Sequence, residues 1–122
     1  MEKTGVLILT VIAAPSGLMS SSLRSFLRTI PGVEVAAETA CLCDTMRALT
    51  GNYPRLLLLD ADLPGPVLNP CIRQFHADFP SLKIIVLTGS SAQQETALAA
   101  GADYALLKGN LDGQLRRAVT GQ

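Results

Sequence analysis

The sequence predicts an α/β fold: a doubly wound, three-layer sandwich of five βα units in 122 residues. Three observations predict it. Short apolar runs recur along the chain, several with no polar alternation, as suits parallel strands covered on both faces. Amphipathic stretches with helix punctuation lie between them. Nothing in the composition divides the chain, so one domain over residues 1–122 is expected.

The elements follow in order. Val6 to Leu9 opens the first strand, which ends near Ile12. Leu18 to Ile30 carries Leu23, Phe26, Leu27 and Ile30 on one face, with Arg24 and Arg28 on another, and Pro31-Gly32 stops it. Val33 to Ala37 is the second strand. Asp44 to Thr50 is a short helix ending near Gly51-Asn52. Leu56 to Leu59 is the third strand. Asn69-Pro70 reads as an N-cap and first helical residue, with the helix running to about Phe79. Ile84 to Leu87 is the fourth strand. Ala92 to Ala100 is an alanine-rich helix ending at Gly101. Tyr104 to Leu107 is the fifth strand, and Asn110 or Asp112 caps a last helix through Val119. Strict alternation implies parallel strands with helices on both faces.

Composition excludes several functions. The chain is 48% hydrophobic, with ten basic and ten acidic residues and a formal net charge of zero. Disorder needs the opposite balance. Nucleic-acid binding by charge or stacking wants a basic excess or exposed aromatics, and only two Tyr, three Phe and no Trp are present. Three cysteines do not make a disulfide-stapled scaffold. The first apolar run is too short to span a bilayer. A leader reading, with Ala13-Ala14-Pro15 after that run, is weaker than the strand reading because the pattern recurs downstream. No membrane association is expected.

In such a sheet, chemistry belongs at the carboxyl ends of the strands. Asp60-Ala61-Asp62 follows the third strand, Thr88-Gly89-Ser90 the fourth and Lys108-Gly109 the fifth. A carboxylate, a hydroxyl and an ammonium therefore converge on one rim. Such a set suits a phosphoryl group: the carboxylate as nucleophile, the ammonium and hydroxyl on its oxygens.

The segment from Pro54 through Asp60 to Pro64-Gly65 resembles the acceptor strand and loop of bacterial response-regulator receiver domains. Leu87-Thr88-Gly89 resembles their hydroxyl position. Ala100-Gly101-Ala102-Asp103 through Lys108 resembles the segment leading to their lysine. Pro31-Gly32-Val33-Glu34-Val35 is similar to the subfamily usually joined to a LuxR-type helix-turn-helix. The resemblance covers nearly the whole chain. It implies a flavodoxin-like receiver fold with strand order 2-1-3-4-5. It makes Asp60 the phospho-acceptor position, Thr88 the switch hydroxyl and Lys108 the partner of the phosphoryl oxygens. Asp62 would offer its backbone carbonyl to Mg²⁺ beside Asp60. It also implies two-component signalling in the cytoplasm rather than an enzyme, with a histidine kinase as partner and no nucleic acid bound by this domain. A homodimer through the fourth helix, fifth strand and fifth helix is implied as well.

Two departures are visible. The acidic pair that holds Mg²⁺ in the family falls on Ala13-Ala14 or Ala14-Pro15, and neither register supplies a carboxylate. The aromatic that usually sits three residues before the lysine is Ala105, with Tyr104 on the opposite strand face. The expectation is a degenerate receiver with no Mg²⁺ or weak Mg²⁺, little phosphorylation at Asp60, a direct Asp60–Lys108 pair, and output through protein contacts.

Other features have simpler readings. Cys41, Cys43 and Cys71 match no zinc spacing and read as small buried thiols. His76 reads as exposed, and Phe75 and Phe79 as core. Ser16 to Ser22 opens the first helix, where serines cap or face solvent. An alternative reading makes that loop the anion cradle of a flavodoxin-like small-molecule binder. Arg116-Arg117 reads as a solvated helix face.

Overall fold

A computed structural model describes residues 7–15, 17–63 and 68–121. The elements are β1 (Ile8–Ala13), α1 (Leu18–Leu27), β2 (Val33–Thr39), α2 (Leu42–Asn52), β3 (Leu56–Asp60), α3 (Leu68–Asp78), β4 (Lys83–Thr88), α4 (Ser91–Ala100), β5 (Tyr104–Leu107) and α5 (Asp112–Thr120), with a 3₁₀ turn over Lys108–Asn110. All four strand pairings are parallel, in the order β2-β1-β3-β4-β5. The doubly wound architecture and its expected strand order are thus those of the molecule.

Side-chain alternation along the strands divides the core in two. Val11, Ala13, Leu57, Leu59, Ile84 and Val86 face α2, α3 and α4, where Leu49, Ile72, Phe75 and Ala97 meet them. Ile12, Leu56, Leu58, Ile85 and Leu87 face α1 and α5, where Leu23, Leu27, Leu115 and Val119 meet them. The central strands are apolar on both faces for this reason, and β3 is buried at all five positions.

Several boundaries differ from expectation. Val6 lies outside the described residues, and β1 is centred later than its apolar run, because it includes Thr10. That buried residue turns its hydroxyl to the Ile8 carbonyl at 3.3 Å, which satisfies it locally. α1 stops at Leu27. Thr29 N and Ile30 N then bond to Phe26 O and Leu27 O, tightening the chain into a turn before Pro31. β2 extends to Thr39 and β3 to Asp60. α2 is longer than expected at both ends: Leu42 joins the core face, and Tyr53 ends the helix in the left-handed region at φ 47°. α3 begins at Leu68, so Asn69 is inside the helix rather than its cap. The Asn110 and Asp112 side chains lie outside the described residues; Leu111 precedes α5.

Gly101 ends α4 as read from sequence. Its φ is +117°, and a Cβ there would come within 3.2 Å of the His76 side chain on α3. Both conformation and space demand glycine. His76 is itself exposed, while Phe75 is buried and Phe79 packs on the core edge, all as expected.

A polar cluster unremarked in the sequence links α1 to β2. Glu38 accepts from Arg24 Nε at 2.6 Å, from Arg24 Nη2 at 3.1 Å and from the Ser20 hydroxyl at 2.8 Å. The usable signal was the four-residue spacing of Ser20 and Arg24, which puts both on one helix face. The Arg24 hydrogen bond holds the Glu38 carboxyl below its usual range against the opposing effect of partial burial, with the Ser20 bond and the Arg24 charge adding to it. A depressed carboxyl pKa stabilises the fold above the unfolded value, near pH 4.5, and that contribution is lost as pH falls through the folded value. Glu38→Ala is expected to lower the unfolding midpoint at pH 7 by no more than about 3 °C, because the pair is partly solvated. The difference from the parent should narrow towards pH 3 in thermal melts followed by circular dichroism.

Candidate functional site

Three strand ends build one rim. β3 delivers Asp60 as its last residue, paired with Leu87 of β4, and Asp60 is only 2% exposed. β5 ends at Leu107, and Lys108 starts the 3₁₀ turn that follows. The Lys108 ammonium reaches across β4 to both acids, 2.6 Å from Asp60 Oδ1 and 2.7 Å from Asp62 Oδ2. The Asp62 backbone N–H donates to Asp60 Oδ1 at 2.8 Å. The expected direct Asp60–Lys108 pair is therefore present, and Asp62 joins it through its side chain as well.

The two oxygens of Asp60 are not equivalent. Oδ1 takes both hydrogen bonds, and among the described residues none reaches Oδ2. Partial burial disfavours the Lys108 ammonium, but its hydrogen bonds to Asp60 and Asp62 and their charges outweigh it, and the pKa is raised. A raised lysine pKa adds stability throughout the range below about pH 10.5, lost only as pH climbs through the folded value.

Thr88 is fully buried, and its hydroxyl donates to the Leu106 carbonyl at 3.0 Å. Among the described residues no hydrogen bond joins it to Asp60 or Lys108. Thr88 thus stands at the rim but is tied to β5. Ala105 is buried, while Tyr104 points outward, where the Lys83 ammonium lies 5.8 Å from its ring centroid. Pro64-Gly65, expected as the turn after the site, lies outside the described residues.

The donor set does not fit a resident Mg²⁺. Ala13 pairs with Leu59, so Ala14 stands level with Asp60 in the neighbouring strand. Both alanines are packed away, at 0% and 2% exposure, and present methyl groups where hard oxygen ligands would be needed. The oxygen Oδ1 of Asp60 is already held by an ammonium. Among the described residues no group of three or more acidic, histidine or cysteine side chains could hold a metal.

The serine segment offers an anion little. Gly17 stands at the N-cap of α1 with no side-chain cap, and Ser20 gives its hydroxyl to Glu38. An incoming anion there would meet that carboxylate. Ser21 and Ser22 are exposed, and Ser16 lies outside the described residues. The cysteines correct the sequence reading: Cys43 is exposed, and Cys41 and Cys71 are half-buried. The stripe of α2 that faces the sheet is Leu42, Thr45 and Leu49, and Cys43 falls off it. Arg116 is not merely solvated. It donates to the Thr29 hydroxyl at 3.1 Å and lies 5.5 Å from the Phe26 ring centroid.

A parallel sheet in this order, with an aspartate ending β3 and a lysine following β5, has the fold of response-regulator receiver domains. Three solved structures illustrate the likeness. The isolated receiver domain of RcsB from Salmonella enterica serovar Typhimurium, solved with the phosphomimetic BeF₃⁻, superposes at TM-score 0.86 with 24% identity, over 94% of this chain and 87% of that one. A LuxR-family response regulator from Aurantimonas sp. SI85-9A1 gives 0.85 at 22% identity, over 95% and 84%. The response regulator domain of Thermotoga maritima CheB gives 0.84 at 13% identity, over 95% and 96%. In sequence, the uncharacterized transcriptional regulatory protein YhcZ of Bacillus subtilis (strain 168) is 34% identical over 100 residues, 80% of this chain and 47% of that protein. The chain thus spans about half the length of this curated relative. No family model matches the chain. Among the described residues, no helix is long and apolar enough to cross a membrane.

Proposed function

We propose that this chain is a signalling receiver, not an enzyme, whose acceptor rim is held by an internal ammonium in place of a divalent cation. The observation that carries this reading is the Asp60–Lys108–Asp62 bridge beside alanines at the end of β1. Two carboxylates and one ammonium leave a local charge near −1, which the rim tolerates without a metal. Phosphoryl transfer to Asp60 would lack the ion that neutralises the equatorial oxygens. Lys108 is a single point charge already shared between two acids and does not replace that ion.

In this reading the histidine kinase is a weak phosphoryl donor or a docking partner. Output passes through protein contacts, including self-association across α4, β5 and α5. Leu98 and Tyr104 support that face, being 49% and 37% exposed on α4 and β5. Neither Thr88, bonded to β5, nor Ala105 offers the usual coupling of a moving hydroxyl to a turning ring.

Incubation with acetyl phosphate and Mg²⁺, followed by intact mass measurement, tests the proposal. Expected is phosphorylation of less than about one molecule in ten. Stoichiometric phosphorylation that disappears in Asp60→Asn would overturn it. In the double variant Ala14→Asp, Pro15→Asp, which restores carboxylates beside Asp60, millimolar Mg²⁺ is expected to raise stability by about 1–2 kcal/mol, and to leave the parent unmoved.

A further inference from the structure

The three cysteines take no part in the rim, yet two of them line a common groove elsewhere. Cys43, on the first turn of α2, and Cys71, on the first half of α3, line one surface groove of about 500 Å³. Leu42, Met46, Pro70 and Phe75 supply most of its remaining wall, so the two thiols are the reactive groups facing it. Cys43 is exposed and Cys71 half-buried. Desolvation, and then the charge of Cys43, push the Cys71 thiol up. The helices that carry them pack on each other.

We propose that Cys43 and Cys71 form a peroxide-oxidisable dithiol, a modification site that braces α2 to α3. The thiolate of exposed Cys43 attacks one oxygen of hydrogen peroxide and becomes a sulfenic acid, and the other oxygen leaves as hydroxide and takes a proton to give water. The Cys71 sulfur then attacks the Cys43 sulfur. The S–S bond forms, the S–O bond breaks, and the hydroxide leaves as a second water with the Cys71 proton. Two thiols and one peroxide thus give one disulfide and two waters. The more exposed sulfur reacts first and the desolvated one resolves. The brace would close the groove and act on the face of the sheet covered by α2, α3 and α4, independently of any chemistry at Asp60.

The test is oxidation of the folded chain with a small excess of hydrogen peroxide, followed by non-reducing peptide mapping. Expected is a monomer lighter by about 2 Da, with the Cys43 and Cys71 peptides joined, and the mass restored by dithiothreitol. Cys41→Ser should still form the bond, whereas Cys43→Ser and Cys71→Ser should not. The oxidised parent should melt about 5–10 °C higher than the reduced protein, a gain the two latter variants lack. A Cys41–Cys43 bond, an intermolecular disulfide, or over-oxidised thiols with no bond would each overturn the proposal. Mapping the parent keeps the test decisive even if Cys71→Ser folds poorly.

Discussion

Lys108→Met is expected to lower unfolding stability at pH 7.5 by about 3 kcal/mol, although only a surface-facing lysine is replaced. The lysine side chain is 23% exposed, but its partner Asp60 is 2% exposed. Removing the ammonium leaves a buried carboxylate with one backbone N–H on Oδ1 and no compensating charge. Asp62 does not help, since it adds a second negative group nearby. Urea melts at pH 7.5 read this directly. A loss no larger than that of Asp60→Asn would show that Lys108 acts through its alkyl stem alone. Asp60→Asn provides the control: the amide fits the same space, and Lys108 keeps Asp62, so the loss should be smaller.

Phe75→Ala is the second large effect, expected to cost about 4 kcal/mol and to lower the melting midpoint by more than about 10 °C. Phe75 is the largest fully enclosed side chain of α3, 2% exposed among Leu57, Leu59, Ile72 and Ala97. It also forms part of the wall of the groove between α2 and α3, so truncation enlarges that groove as well as leaving a void. Phe79→Ala should cost less than half as much, because Phe79 is only partly buried at the core edge. Equal losses at the two positions, measured by chemical denaturation, would contradict this picture of where the core lies.

Much of this was legible in the sequence, for physical reasons. Runs such as Leu56 to Leu59 and Ile84 to Leu87 are apolar at every position because both sheet faces are covered, so they mark the central strands. Gly101 could be read because α4 has to end in a conformation that only glycine takes easily. Asp60 and Lys108 could be placed on one rim because parallel strands bring all their carboxyl ends together. What stayed hidden depends on side-chain direction or on satisfaction at short range. Thr10 interrupted the first apolar run, although its hydroxyl is satisfied within its own strand. Asp62 follows the strand, and nothing in the order of residues says that its carboxylate turns back onto Lys108. The Ser20–Arg24–Glu38 cluster needs the relative placement of α1 and β2. Cys43 departs from the core because two neighbouring helical positions differ by just over a quarter of a turn, enough to move a thiol from core to solvent.

The sheet separates two sets of side chains that touch different helices, α2 to α4 on one face and α1 with α5 on the other. The chain therefore contains two packing problems solved back to back, joined by a common layer of backbone. Either half can be repacked with little retuning of the other, so long as the strands keep their spacing. Such a scaffold leaves one flank free to diversify towards new partners while the opposite flank keeps its architecture.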